Sequence, residues 1–232
     1  MNLKNYSLLL ISALTMSSIF AQSMGSTISL TVGSATALGD FGLQDADAAN
    51  AGGAASGLTF DLGVKADGTP EYKNFGLNLL LKLQVNPMGQ DFADDFLKDF
   101  PGGTTASFGA YTLTGYMIGT HYNWRINDNF GIQPKVLIGL MDAKSPQIEM
   151  SFMGVKFAEI TSGEASTFTS LIGADLVYDI GKFRLQAGYD FVSANPKFNV
   201  NLVDVSSGTK DARVWEQSLR TYNFNLGLGY HF

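Results

Sequence analysis

Two histidines, His121 and His231, are the side chains best suited to move protons near neutral pH, and each would need a hydroxyl or carboxylate within hydrogen-bond reach to hydrolyse anything. His121 stands in Gly119-Thr120-His121-Tyr122-Asn123, where no serine two residues on shares its face. His231 is penultimate in the chain. There is no cysteine, which excludes thiolate nucleophiles, disulfides, thiolate metal sites and lipid attachment through an N-terminal cysteine. No phosphate loop, zinc motif or EF-hand pattern occurs. The densest acidic run, Asp91 to Phe100, could attract Ca²⁺, but it lacks the Asp-x-Asp-x-Asp-Gly order of a calcium loop. Phe92, Phe96 and Phe100 recur at i, i+4 and i+8, which is compatible with a short amphipathic helix. A solvated loop packing its rings on the structure beneath is the preferred reading. The chain is therefore expected to be non-enzymatic, with no catalytic residue, metal or cofactor site.

What the spacing does specify is alternation. The chain ends Tyr222-Asn223-Phe224-Asn225-Leu226-Gly227-Leu228-Gly229-Tyr230-His231-Phe232, apolar or aromatic at every even position and Asn, Gly or His at every odd one. Period 2 means a strand with one apolar and one polar face. Seven earlier segments follow related patterns: 27–35, 58–65, 75–85, 111–125, 130–141, 167–180 and 183–192. Pro134 falls on the outward face of the fifth and cannot donate to a ladder, so a bulge or local distortion is expected there. Short turns are predicted at Asp67-Gly68-Thr69-Pro70, Asn127-Asp128-Asn129 and Ile180-Gly181. They alternate with long connections, roughly 39–57, 86–109, 142–166 and 193–217. The first of these is rich in Ala, Gly and Asp and is expected to be mobile.

Composition agrees with strands that meet lipid. Only 16% of residues are charged while 45% are hydrophobic, a low charge fraction against the quarter or so usual in water-soluble domains. After the N-terminus no stretch is long and apolar enough for a membrane helix, which needs about 20 residues. Residues 1–21 read as a cleavable export signal: Lys4, an apolar core from Leu8 to Met16, then small residues up to Ala21. Residues 22–232 form one domain. Losing Lys4 takes the formal charge from −6 to −7, which argues against nucleic acid as a partner.

The terminal pattern resembles that of outer-membrane barrel proteins, which close on a final strand ending in Phe. In that family it is read by the barrel-assembly machinery, and Phe224, Leu226, Leu228, Tyr230 and Phe232 all fit it. Over nearly the whole mature chain the repeat of strands, short turns and long loops resembles the small outer-membrane barrels of the OmpA-barrel and OmpX type. The resemblance implies an all-β fold, an eight-stranded antiparallel up-and-down barrel in the cell outer membrane. It also implies contact with outer-membrane lipid and lipopolysaccharide, and a monomer whose loops meet extracellular partners. The pattern ends with the chain, so no periplasmic domain is expected. The sequence departs from the His-x-Ser pattern of the lipid A deacylase barrels at His121, which leaves a lipid-modifying enzyme the least favoured reading.

An eight-stranded barrel has a lumen just wide enough for side chains to fill. Strand parity turns Asp61, Lys65, Lys82, His121, Lys135, Asp175, Arg184 and Asp190 inward. Buried charges must be paired, so these are expected to form a polar plug, with Lys135 across from His121. The expected function is envelope-structural or surface interaction through the loops; the alternative is a narrow porin-like channel or small-solute path.

Overall fold

Outward apolar residues at every second position leave a strand's backbone as its only polar edge, and in lipid those groups must all pair within the protein. Closure into a ring is the solution adopted here. The computed structural model describes residues 25–48, 50–68 and 74–232; the predicted signal at 1–21 and the Thr69-Pro70 part of the first turn lie outside them. With strands numbered in chain order, eight form the ring: β1 (Ser26–Ala37), β2 (Gly57–Asp67), β3 (Phe75–Pro87), β5 (Ala110–Tyr122), β7 (Phe130–Lys144), β10 (Glu164–Ile180), β11 (Phe183–Ala194) and β14 (Leu219–His231). Each pairs antiparallel with its neighbours in chain order, and β1 pairs with β14 from Thr27↔His231 to Ala37↔Thr221. The barrel is up-and-down, as the alternation predicts.

The first segment, which carries no aromatic residue, keeps the expected parity: Leu30 is 63% exposed, while Ser29 and Thr31 are buried. Outward side chains such as Phe60, Ile138, Leu140, Phe168 and Leu226 give the barrel a continuous apolar surface. No water-soluble domain leaves a belt of that extent uncovered, so the barrel spans a membrane. At the turn end, Phe75 packs against Tyr122 and Phe183 against Tyr230, with Trp124 and Tyr178 exposed beside them. These rings form the aromatic girdle of a bilayer interface.

Turn chemistry matches the sequence. Asn127 Oδ1 accepts from the backbone N–H groups of Asn129 and Phe130 at 3.0 and 2.8 Å. Gly181 takes φ +61°, the left-handed conformation a tight hairpin needs between Ile180 and Phe183. At Pro134 the distortion is an interruption without a bulge. The β5–β7 ladder stops at His121↔Lys135 and resumes in register at Trp124↔Ile132, through the two-residue β6 (Trp124–Arg125).

The long connections depart from their reading as plain loops. Residues 90–97 form a short helix, α1 (Gln90–Leu97), as the spacing of Phe92, Phe96 and Phe100 allows, with Phe92 buried and Phe96 and Phe108 packed edge to face. Five further strands, β4 (Thr104–Phe108), β8 (Ile148–Phe152), β9 (Val155–Ile160), β12 (Lys197–Asp204) and β13 (Lys210–Glu216), make a second sheet in the order β13-β12-β9-β8-β4. The 39–57 connection, expected to be mobile, packs into the loop end of the barrel. One turn of 3₁₀ helix at Gly39–Gly42 drives Phe41 to full burial.

Candidate functional site

Charged side chains on the inward parity of neighbouring strands face each other across a narrow lumen, so their pairing follows from register. Near the turn end, Asp179 accepts from Arg184 Nε at 2.6 Å, Arg125 Nη1 at 2.6 Å and His231 Nε2 at 3.1 Å. The other ring nitrogen of His231 lies 2.8 Å from Thr27 Oγ1. This cluster ties β1, β6, β10, β11 and β14 together where the first and last strands of the barrel meet. It has the residue types of a hydrolytic triad, but Thr27 is buried.

Further in, Asn123 donates to Asp67 at 2.9 Å and accepts from Gln133, which accepts from Lys65 Nζ at 2.8 Å. Lys65 and Lys135 share Asp175 at 2.8 and 2.7 Å, and Lys135 reaches Asp190 at 3.0 Å. Lys82 pairs with Asp61 at 2.8 Å and donates to Thr59 at 2.9 Å. All eight residues that parity turns inward are therefore buried, and seven of them lie in these ion-paired groups. The eighth, His121, is buried with Nε2 3.5 Å from Asp67 Oδ1 and stands opposite Lys135 in the ladder. Between the pairs, Ser29, Asn78, Lys65, Asp175, Gln186 and Asn225 line a cavity of about 20 Å³. That is room for about one water.

Toward the loop end the inward parity changes character. Leu113 and Met117 of β5, Leu137 and Met141 of β7, and Leu171 of β10 are all buried. Sequence reasoning passed over this apolar storey, although its signal was present: each residue has the parity of the polar groups below it. Above it, Tyr111 packs with Phe41, Phe198 and Trp215. Tyr111 Oη donates to the Gly52 carbonyl at 2.9 Å, and Asn86 Nδ2 donates to the Ala35 and Ala55 carbonyls at 3.0 and 2.9 Å. The bonds to Gly52 and Ala55 hold the 38–56 segment as a stopper.

Outside the stopper lies the second sheet with α1. Lys98 on the α1 side joins Asp47 of the stopper at 2.6 Å and Asp95 at 3.0 Å, and these carboxylates hold the ammonium above its usual range. Asp45, Asp47 and Asp95 come together here, and Lys98 already pairs with two of them, Asp47 and Asp95. On β9, Lys156 bridges Glu159 and Glu149 at 2.8 and 3.0 Å. An open apolar groove of about 360 Å³ lies beside these pairs, between Phe100, Pro101, Thr104, Phe152 and Phe157. On β14, Phe224, Leu226, Leu228 and Tyr230 face outward from the barrel, and Phe232 just beyond it is exposed.

No family model matches this chain, and no curated protein resembles it in sequence. Its fold is shared with solved structures. A major outer membrane protein from Thermus thermophilus matches with a TM-score of 0.54 and 14% identity, over 89% of this chain and 99% of that one. The outer membrane protease OmpT from Escherichia coli matches with a TM-score of 0.51 and 14% identity, over 91% and 97%. At such identity the likeness bears on the fold alone.

Proposed function

We propose that this chain, which has the fold of the outer-membrane β-barrels, is a closed, non-enzymatic barrel of the outer membrane that works through its outer loops. The observation that carries the reading is the filled lumen. Ion pairs surround a cavity with room for about one water, an apolar storey lies above them, and the 38–56 stopper covers both. A conducting path needs a continuous aqueous route, and small barrels are filled by their side chains. The second supporting feature is the ordered five-stranded sheet outside the barrel, a rigid platform of the kind on which binding surfaces are built.

One of the solved structures that share the fold is a protease by name. Against carrying that activity over stands the position of the two histidines. Both lie at the turn end, His121 buried and His231 bound to Asp179, away from the loops. In this reading the barrel is a monomer that needs no cofactor. It contacts lipid through its apolar belt and lipopolysaccharide at its outer rim. The outward row ending in Phe232 is what the barrel-assembly machinery engages during insertion.

Planar-bilayer recording of refolded protein tests the reading. The expected result is a silent membrane. Reproducible channels would overturn the closed barrel in favour of the narrow-pore alternative. Lipid A profiling with and without the protein tests the non-enzymatic part, and an altered acylation pattern would sink it.

A further inference from the structure

The groove between Phe100, Pro101, Thr104, Phe152 and Phe157 is almost purely apolar, yet it stands in the most acidic part of the molecule. The four outer connections, 38–56, 88–109, 145–163 and 195–218, carry twelve Asp and Glu against five Lys and Arg, a net −7, while the whole chain is −6. The two that flank α1 hold seven aspartates against the single Lys98. Asp91, Asp94 and Asp99 are exposed, and Asp99 directly precedes Phe100. The groove also continues a row of rings: Phe92 stacks with Phe96, Phe96 meets Phe100, and both Phe92 and Phe96 pack on Phe108 of β4. Its floor is thus anchored through β4 and α1 to the stopper. At the hairpin tip beside Phe152, Met153 is 78% exposed and adopts φ +48°, a conformation that side chains other than Asn or Asp rarely accept.

We infer that this groove docks a cationic polypeptide, which seats one aromatic or aliphatic side chain against Phe100, Phe152 and Phe157 while its Lys or Arg residues meet the surrounding carboxylates. The volume suits an anchor side chain of the kind that dominates interface energetics. The charge selects the occupant. Anionic lipid and acidic polymers are repelled by a net −7 surface, and an uncharged small solute gains nothing from the carboxylate rim.

The assignment rests on the loop-interaction reading above but fails separately from it. Channels in a bilayer would remove the closed barrel and leave the groove intact. Silent bilayers without peptide preference would remove the groove assignment alone. The test uses the full chain refolded into phosphatidylcholine nanodiscs and three dye-labelled peptides, read by fluorescence anisotropy. One is lysine-rich with a single tryptophan, one is the same peptide with serine for tryptophan, and one is glutamate-rich with the tryptophan. The lysine-tryptophan peptide should bind about tenfold tighter than its serine counterpart, weaken as salt rises, and outcompete the glutamate peptide. Phe152→Ser with Phe157→Ser should abolish the tryptophan preference, whereas Val214→Ser, exposed on β13 at the opposite edge of the outer sheet from β4, should not. If the double variant does not fold, Asp91→Lys, Asp94→Lys and Asp99→Lys together leave the groove in place and must lose the lysine peptide. Equal affinity for the tryptophan and serine peptides, equal affinity for the glutamate peptide, or no binding at all overturns the proposal.

Discussion

Lys82 is fully buried and has one carboxylate partner, Asp61, with Thr59 filling its next hydrogen-bonding position. A single cut in such a pair leaves an uncompensated charge in the lumen, whereas removing both charges leaves none. Lys82→Met is therefore expected to lower stability by about 3–5 kcal/mol, measured by urea unfolding in lipid vesicles. Adding Asp61→Leu to it should restore most of that loss. Additive losses would mean that the two groups do not act as a pair. A different kind of residue effect operates at Asp204, where β12 ends outside the barrel. Its Oδ1 accepts from the Ser206 hydroxyl at 2.6 Å and from the Ser206 and Ser207 backbone N–H groups at 2.8 and 3.2 Å, and these bonds pull the carboxyl down to about 2. Its folded value lies below the unfolded one of about 3.9. The turn's contribution is therefore complete above about pH 4 and fades as pH falls toward about 2. The Ser206 and Ser207 amide resonances should titrate in that window; a midpoint at the unfolded value would show that the carboxyl is not held by the turn.

Among the elements, β5 and β7 approach closely at their glycines. A Cβ at Gly139 would sit 1.9 Å from the Tyr116 carbonyl oxygen, and one at Gly119 would sit 2.0 Å from that of Val136. Backbone cannot yield as a flexible side chain does, so Gly139→Val is expected to block the ladder between these strands. Its signature is loss of the gel-mobility difference between boiled and unboiled detergent samples; a retained difference would mean the ladder can shift aside. The barrel strands were legible because lipid and lumen impose opposite demands on alternate residues. The same parity that pointed Lys65 and Asp175 inward also placed Met117 and Leu137 there, but two inward storeys of opposite character look like noise until strands are aligned. The outer sheet was illegible for a physical reason. Strand β13, with Lys210, Asp211 and Arg213 exposed, owes its conformation to pairing with β12 and not to an alternating pattern of its own. The β8–β9 hairpin turns on Met153-Gly154, of which only the glycine is a turn signal. The groove beside it joins residues from three separate strands and the end of a helix, which no local window brings together.

For the molecule as a whole, the order of its layers decides what opening it would require. The stopper is held by hydrogen bonds from Tyr111, Asn86 and Gln217, and from outside by the Lys98–Asp47 pair. These are edge contacts, and the barrel ring is closed without them, so a chain lacking residues 43–51 should still fold. If the stopper were the gate, that deletion would create a pore. Beneath it, however, Leu113, Met117, Leu137, Met141 and Leu171 fill the lumen, and the paired charges below surround a cavity with room for about one water. An apolar constriction excludes water and ions even where it is not sterically sealed. The deletion variant is therefore expected to remain silent in planar bilayers. Conductance should appear only when the storey is also thinned, for example by Leu137→Ser with Met141→Ser. Channels from the deletion alone would place the barrier in the stopper and turn the closed barrel into a gated one; silence in both variants would place the decisive barrier at the ion pairs around Asp175.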